Sequence, residues 1–452
     1  MRQGVMGVVI MVGLAGGATA AGPAAVLTLP ESIGQALAQN PKQISQRLEV
    51  DKAGAGEQAA RGAHWPTLDF GASATRYGYP TFVYGIRAPG VFPPIDDTLY
   101  DYGVALRLPL YAGGRLAQGV TLAELGRQTA FERERQGTQE LIYNVSAVYL
   151  KVQHLTALEQ VYGARIASLE AQEERVRLLR QVGRAAKLDQ LKIAGLLTKA
   201  RYERLQVVNR RAEAGTLLYQ LMGMERPAQD VTLAHYRAAA VPAFSLERLR
   251  HEADAQRPEL KIAEQQTAAG KAREAIARGE RLPSVSVVGA YRERAGSDTD
   301  YFDDWNVGVQ LAVPLFDGGV RRARVDEAAL ARAQAEQAVA QTRLEVAKQV
   351  QDAWDAHAEA EARLTVTATS VEEAGETLSI EKLKVDQGVG LITDLLNAES
   401  ALLAAQADRL QAGFDLIVTR FNVLRAGGAL DPERAATLVV PDSGAANEEK
   451  KP

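Results

Sequence analysis

The sequence predicts a mainly α-helical chain with a smaller β-portion suited to a membrane, made by using one β-hairpin and helix-hairpin unit twice. Three observations carry this reading. The stretch Leu108-Pro109-Leu110-Tyr111-Ala112-Gly113-Gly114 returns as Val313-Pro314-Leu315-Phe316-Asp317-Gly318-Gly319. Each occurrence closes a run of alternating apolar and polar residues and opens a very long polar run of helical period. A constant offset ties the halves together: Pro41 recurs as Pro258 and Pro66 as Pro283, both 217 positions on, while Pro109, Gly113, Leu178, Gly183 and Asp189 recur 205 positions on. The drop of 12 between the two offsets places an insertion of that size in the first copy, in the Pro- and Gly-rich stretch around 78–98.

Composition narrows the classes. Across 452 residues, 52 basic side chains face 56 acidic ones, so no basic field points to nucleic acid. Only 6% of the residues are aromatic, and Ala, Gln, Glu, Arg and Leu dominate, a mixture for long helices. Arg2, the apolar run Val5 to Leu14 and Ala18-Thr19-Ala20 read as a secretory signal over 1–21. That run is too short and Gly-rich to span a bilayer. With no cysteine, the chain has no disulfide framework and no thiol to carry a lipid.

Taken in order, 22–65 reads as two helices, opened by Pro30-Glu31 and divided at Asn40-Pro41. A first β-hairpin spans 66–110: Leu68, Phe70, Ala72 and Ala74 alternate with Asp69, Gly71, Ser73 and Thr75, then Tyr102, Val104, Leu106, Leu108 and Leu110 with Asp101, Gly103, Ala105 and Arg107. A long helical hairpin follows over 111–222 with its tip at 183–189, then a connector (223–258) and a helix (259–282). The second hairpin, 283–315, sets Val285, Val287, Trp305, Val307, Val309 and Leu311 against Ser284, Ser286, Asn306, Gly308 and Gln310. A second helical hairpin fills 316–428 with its tip at 388–394, and 429–452 reads as a flexible tail. Strands of about 10 residues suit a tilted bilayer crossing, with aromatics gathered toward the loop ends. Alternation alone would also fit a soluble sandwich.

The helices argue for the membrane reading. Arg115 to Val182 contains no Pro and keeps Val145, Val152, Leu155, Tyr162, Ile166, Leu169 and Val176 at coiled-coil spacing; Leu364, Val371, Leu378 and Val385 answer in the second copy. Such a helix is about 100 Å long and needs flanking throughout. The medium and shorter helices, set end to end, nearly supply it. Four strands cannot span a membrane alone, because their open edges would leave backbone groups unpaired in hydrocarbon. Two copies would give a barrel filled by side chains; three give about 12 strands and a lumen. In each copy Pro109 or Pro314 should end the strand ladder, and Gly113-Gly114 or Gly318-Gly319 should let the backbone turn into the helix.

At this point the chain resembles the TolC family of outer-membrane efflux proteins. The resemblance is carried by Leu27-Thr28-Leu29-Pro30-Glu31-Ser32-Ile33, Ala36-Leu37, Asn40-Pro41, Pro66-x-Leu68, the two Pro-Leu-aromatic-x-Gly-Gly junctions and the two Gly-x5-Asp turns, over about Leu27 to Gly428. It implies a homotrimer with a shared barrel in outer-membrane lipid and an α-helical tunnel through the periplasm. It also implies docking to a periplasmic adaptor protein and an inner-membrane transporter, for export of drugs, metals or proteins without a cofactor. By the same resemblance, the tips form the periplasmic mouth. Gly183, Arg184, Gly388, Val389, Gly390 and Leu391 are then the expected adaptor contacts, and Asp394, Asn397 and Asp189 the expected constriction. Similar proteins can carry acid at the position of Asn397 and Arg at that of Gly390, so a weaker acidic ring and a weaker lock are expected here. Gly and Asp also have a purely structural role in such turns, ending one helix and opening the next.

Catalysis is not expected. His64, His154, His235, His251 and His357 lack metal-ligand spacing and read as solvated helix residues, and no nucleophile or phosphate motif is present. The alternative of a periplasmic coiled-coil adaptor would call for one helical hairpin and a soluble β-region, against two equivalent halves here.

Overall fold

The structure is a computed structural model that describes residues 26–183, 185–227, 232–240 and 244–442. The expected signal segment and Arg184 lie outside the described residues. The chain runs through α1 (Leu29–Gln39), α2 (Pro41–Gly62), β1 (Thr67–Phe82), β2 (Ile95–Ala112), α3 (Arg115–Gln181), α4 (Lys187–Leu221) and β3 (Tyr236–Ala238). It continues through α5 (Leu246–Gln256), α6 (Pro258–Gly279), β4 (Ser284–Ala295), β5 (Phe302–Ala312), α7 (Val320–Asp386), α8 (Ile392–Ala426), α9 (Pro432–Thr437) and β6 (Val439–Pro441). The duplication is metrically faithful in its helices: α1 and α5 have 11 residues, α2 and α6 have 22, α3 and α7 have 67, and α4 and α8 have 35.

Local chemistry explains the breaks. Thr28 and Glu31 cap α1 reciprocally: the Glu31 N–H donates to Thr28 Oγ1 at 3.3 Å and the Thr28 N–H to Glu31 Oε2 at 2.9 Å. Asn40 and Arg257 are extended because a proline follows each, and that proline starts the next helix. These two residues also fasten the joint where the medium helix sits on the shorter one. Asn40 Nδ2 donates to the Leu221 carbonyl at 2.9 Å, and Arg257 Nη1 to the Arg425 and Ala426 carbonyls at 3.3 Å. Leu221 and Ala426 are equivalent positions, so each copy satisfies the open carbonyl end of its lower helix in the same way. A second device is repeated above the joint. Glu57 meets Arg61 at 2.8 Å and Arg127 at 3.2 Å; Glu274 meets Arg278 and, at 2.9 Å, Arg332.

The helices stand side by side as an open palisade. In the upper part the order is α2-α3-α6-α7, and below the joints it is α4-α3-α8-α7. The main core lies at the joints, where Leu29, Ile33, Ile142, Val145, Tyr149, Leu218, Met222 and Phe421 are buried together. The Tyr149 hydroxyl lies 2.8 Å from the carbonyls of Leu27 and Ala234 and ties the entering chain to the connector.

The residues from 429 are not the free tail expected over 429–452. Ala429, Leu430, Ala435, Leu438 and Val439 are buried, α9 is capped by Asp431, and β6 pairs antiparallel with β3. The sparse apolar residues of this segment suffice because they enter an existing core; 443–452 lie outside the described residues. Two histidines also depart from the solvated positions expected. His357 is buried with its ring edge-on to Phe244 at 5.3 Å, and His154 is half-buried against Phe414. Burial pushes both imidazoles below the usual histidine range.

The sheet has the order β1-β2-β4-β5, antiparallel throughout, so β1 and β5 are its edges. Register aligns Phe70, Val104, Tyr291 and Trp305 in one row and Leu68, Leu106, Gly289 and Val307 in the next, so the apolar residues of all four strands share one face. Phe70, Trp305, Val307 and Val309 are each about 70% exposed, so this face lacks a covering layer in the protomer. Pro109 does not end the ladder as expected. β2 passes through it to Ala112, with a register shift between Pro109 and Tyr111 that accommodates the missing N–H. In the second copy the strand already ends at Ala312, before Pro314.

Arg257→Ala should lower stability by about 1–3 kcal/mol, because buried carbonyls lose their donor. Thermal unfolding followed by helical circular dichroism checks this, with Asn40→Ala moving in the same direction.

Candidate functional site

Two places were singled out by sequence: the strand-to-helix junctions and the helical tips. At the junctions Gly113, Gly114, Gly318 and Gly319 all have positive φ, from 64° to 87°. This left-handed backbone turns the chain from sheet into helix, and a Cβ would strain it. The first junction is also crowded: a Cβ on Gly113 would stand 2.3 Å from the Gly279 carbonyl oxygen, and one on Gly279 2.5 Å from that of Gly113. Gly318 and Gly62, the equivalents of those two residues, have nothing within 4 Å. Asp317 stabilises the second junction by accepting from the Gly319 N–H at 3.1 Å and the Arg321 N–H at 2.9 Å. These bonds, the one from Arg321 foremost, hold its carboxyl below the usual carboxylate range.

The tips differ from one another. At the first, Gly183 has φ +72° and ends α3, while Asp189 accepts from the Ala186 N–H at 3.4 Å. Asp189 is half-buried and engaged in capping α4. At the second, Gly388 has φ +78°, its N–H donates to Val385 O at 3.1 Å, and the Val389 N–H donates to Lys384 O at 3.0 Å. This pair of bonds forms a Schellman ending. Gly390 folds back on it: a Cβ there would lie 2.8 Å from Lys384 Cβ and from the Val385 nitrogen. The missing arginine at 390 therefore has a steric reason. Val389 and Leu391 are 78% and 65% exposed.

Asp394 and Asn397 share an exposed face of α8, three residues apart, while Leu395, Leu396 and Ala398 turn inward. The Asp394 carboxylate has no hydrogen bond or ion pair among the described residues. Thus Asp394 and Asn397 are brought together on a solvent face, and Asp189 belongs to the other hairpin.

Sequence reading missed the polar cluster that joins the two hairpins just above the tips. Arg165 on α3 is buried and ion-paired with Glu399 on α8; their side chains are 7% and 10% exposed. Ser168 Oγ donates to Glu399 at 3.1 Å, Gln172 donates to the same carboxylate, and Arg165 Nη2 reaches Ser400 Oγ at 3.2 Å. Beside it, Leu396 enters the apolar cluster of Leu169, Val176, Ile193 and Leu197, and Arg175 meets Asp386 at 2.8 Å. No repeat signal marks Arg165 and Glu399, since Ser370 and Ala194 stand at their equivalents. The Glu57 and Glu274 ion pairs, by contrast, obey both offsets and were readable.

A sheet with one apolar face and two open edges, continued by helices about 100 Å long, defines one wall segment of a membrane channel. Comparison with known proteins agrees. The family model described as outer membrane efflux protein matches residues 32–224 and 249–427, and the chain belongs to that family. It is 24% identical over 381 residues to the solvent efflux pump outer membrane protein SrpC of Pseudomonas putida, covering 81% of this chain and 78% of that one. It is 25% identical over 350 residues to the alkaline protease secretion protein AprF of Pseudomonas aeruginosa, covering 74% and 72%. Among solved structures, the outer membrane protein VceC of Vibrio cholerae superposes with a TM-score of 0.76 at 17% identity, covering 88% of this chain and 96% of that one. The chain is an outer-membrane protein of channel fold, which sets aside the adaptor alternative and an enzyme.

Gly390→Arg should displace the second tip, because the new side chain meets the last turn of α7. Faster hydrogen exchange at residues 385–391, with α3 and α4 unchanged, is the expected readout; unaltered exchange would show the glycine is not needed there.

Proposed function

We propose that the chain is one protomer of a homotrimeric exit duct of an efflux or secretion system, which docks at its tips to a periplasmic adaptor and, through it, an inner-membrane transporter. One observation carries this reading. The main contacts that join the two copies inside the chain each have an equivalent left unmade among the described residues. β2 pairs with β4, and the equivalent pair is β5 with β1 of a second chain. α3 packs on α6 and α8, and the equivalent is α7 on α2 and α4. Gly113 abuts Gly279, and the equivalent is Gly318 on Gly62.

A groove at the joint of α2 and α4 fits the same scheme. It holds about 820 Å³ between Asn40, Gln43, Gln46, Leu141, Leu217 and Leu221. Its equivalent in the second copy is filled by α3, where Gln139 reaches Gly428 O at 2.8 Å and Arg425 lies 4.5 Å from the Tyr143 ring centroid. Transferring that contact puts Leu344 and Lys348 of the next chain into the groove; Leu344 is 69% exposed. Three chains close about 12 strands, enough for an open lumen.

In this assembly Asp394 and Asn397 ring the periplasmic mouth, with the single carboxylate per chain favouring cations. Gly183, Arg184, Gly388, Val389, Gly390 and Leu391 are the adaptor contacts, of which the glycines are small, Val389 and Leu391 apolar and Arg184 basic. The glycines there keep the backbone tight and the exposed Val389 and Leu391 supply the apolar contact. Relatives named for a solvent efflux pump and for protease secretion support both kinds of system.

Two measurements test the reading. In a chain without native cysteine, Lys348→Cys with Gln220→Cys and a short thiol linker should yield covalent species of up to three chains, and monomers alone would refute the closed ring. Asp394→Ala should reduce the cation selectivity of single channels in planar bilayers, whereas unchanged selectivity would remove Asp394 from the constriction.

A further inference from the structure

The outer end of the sheet carries an element that the repeat does not supply. The 12 residues peculiar to the first copy lengthen β1 and β2 and enlarge the loop 83–94 between them, and this loop does not stand free above its own hairpin. Val83 is 2% exposed and its N–H donates to the Pro94 carbonyl at 2.9 Å, which closes the base. From there the loop reaches past β4 to β5, an open edge of the sheet. The Arg87 guanidinium donates to the Asp303 carbonyl oxygen and lies 3.6 Å from the carboxylate of the same residue. It also stands 4.9 Å from the Tyr84 ring centroid and 5.9 Å from that of Phe302, and those two rings pack 4.3 Å apart. A cation held by a carboxylate, a carbonyl and two aromatic rings fixes the loop on that edge.

The other open edge has a matching irregularity. β1 pairs with β2 up to Arg76 and Thr98 and resumes at Thr81 and Asp96, so Tyr77, Gly78, Tyr79 and Pro80 bulge from the ladder. Tyr79 is 87% exposed. Transferring the β2 and β4 register to the seam between chains sets Asn306 against Tyr77 and Trp305 against Gly78 of the next chain. The bulge thereby arrives beside Phe302, Asp303 and Asp304, where the loop is clasped. Ile86, Val91 and Phe92 are left exposed on that loop, Phe92 at 77%.

The seam between chains also lacks what closes its counterpart. Within the chain, Arg294 meets Asp101 at 2.6 Å, and the Tyr102 hydroxyl donates to Glu293. At the equivalent places between chains, Tyr77 meets Asn306 and Arg76 meets Val307, and Arg76 is already paired with Asp97 of its own chain at 3.2 Å. Bulges and covering loops are two ways of protecting a sheet edge, and here both converge on one seam.

We propose that residues 83–94 form a strap between chains: Arg87 fixes the loop to β5 of its own chain, and Ile86, Val91 and Phe92 pack over the Tyr77 to Pro80 bulge of the next chain. This rests on the trimeric duct proposed above. The partner is a second copy of this chain, because the register brings the apolar loop and the aromatic bulge to the same end of the same seam. Three straps then cover the outer ends of the three seams.

The test uses the full-length protein, whose lack of native cysteine leaves each introduced thiol unique. Two forms with different affinity tags, one carrying Phe92→Cys and the other Tyr79→Cys, are co-expressed, and trimers holding both tags are treated with a short thiol linker. The expected product is a covalent pair bearing both tags. Adding Arg87→Ala to the Phe92→Cys chain should cut its yield at least fivefold, because the loop loses its clasp, and an unchanged yield would overturn the inference. A product joining two Phe92→Cys chains in place of the mixed pair would show the loops meeting on the axis and would overturn it as well. Trimers that native mass measurement shows intact, yet that give no covalent product, would put the loop on lipid or in water; the strap would be refuted and the duct would stand. Recovery of monomers alone would refute both.

Discussion

The unpaired backbone along β1 and β5 governs the rest of the molecule. In hydrocarbon, each unsatisfied N–H or C=O costs several kcal/mol, and two edge strands present a whole row of them. No rearrangement within four strands can remove the edges. In the proposed assembly the sheet meets other chains, and the helices meet them in the same register because β2 and β5 each feed a long helix through a pair of glycines. The crowding of Gly113 on Gly279 shows how close that meeting is inside the chain, and the empty space at Gly318 and Gly62 shows where it is left open.

Duplication makes this closure possible with few distinct parts. One kind of strand pairing and one kind of helix packing each occur twice, once satisfied internally and once offered outward, while one kind of joint is closed within both copies. The repeats are strict where geometry is set, as in the four pairs of equal helices and the Asn40 and Arg257 joints. They diverge where the two copies have separate tasks. Arg165 and Glu399 belong to that second class, as do Asp317, the different closings of the two tips and the 12 additional residues of the first β-hairpin. Those residues lengthen β1 and β2 as well as the loop between them, so that the stretch expected as loop over 78–98 is strand up to Phe82 and again from Ile95.

Much of this was legible in the sequence, because repeat offsets and periodicity are properties of the chain itself. The constant spacing of Pro, Gly and Asp revealed the two copies, and alternation in Leu68 to Ala74 and Trp305 to Leu311 revealed which face is apolar. The positive φ of the junction glycines followed from the need to turn strand into helix. Other features depend on three-dimensional context. Pro109 looked like a strand end, yet a register shift lets the ladder continue, which no single strand discloses. The residues after 429 look polar, but a few buried side chains suffice to dock them on a core formed by distant segments. The partner of Arg165 lies 234 positions away on another hairpin, and neither offset connects the two. At the tip, Gly390 read as the loss of an arginine, whereas its packing on Lys384 and Val385 shows the space was never available.

The equal lengths of α3 and α7 have a consequence for how such a chain can vary. One residue added to either helix turns everything beyond it by about 100° and displaces it by about 1.5 Å. In the proposed ring the tip faces would then point away from their neighbours. A compensating residue in the other long helix would restore the level of the two tips but not the facing of the side chains, and the shorter helices would need matching too. Growth of the tube is thereby confined to whole heptads added to both copies together, which favours a fixed reach across the periplasm. The loops beyond the sheet obey no such rule, and there the copies differ freely in length.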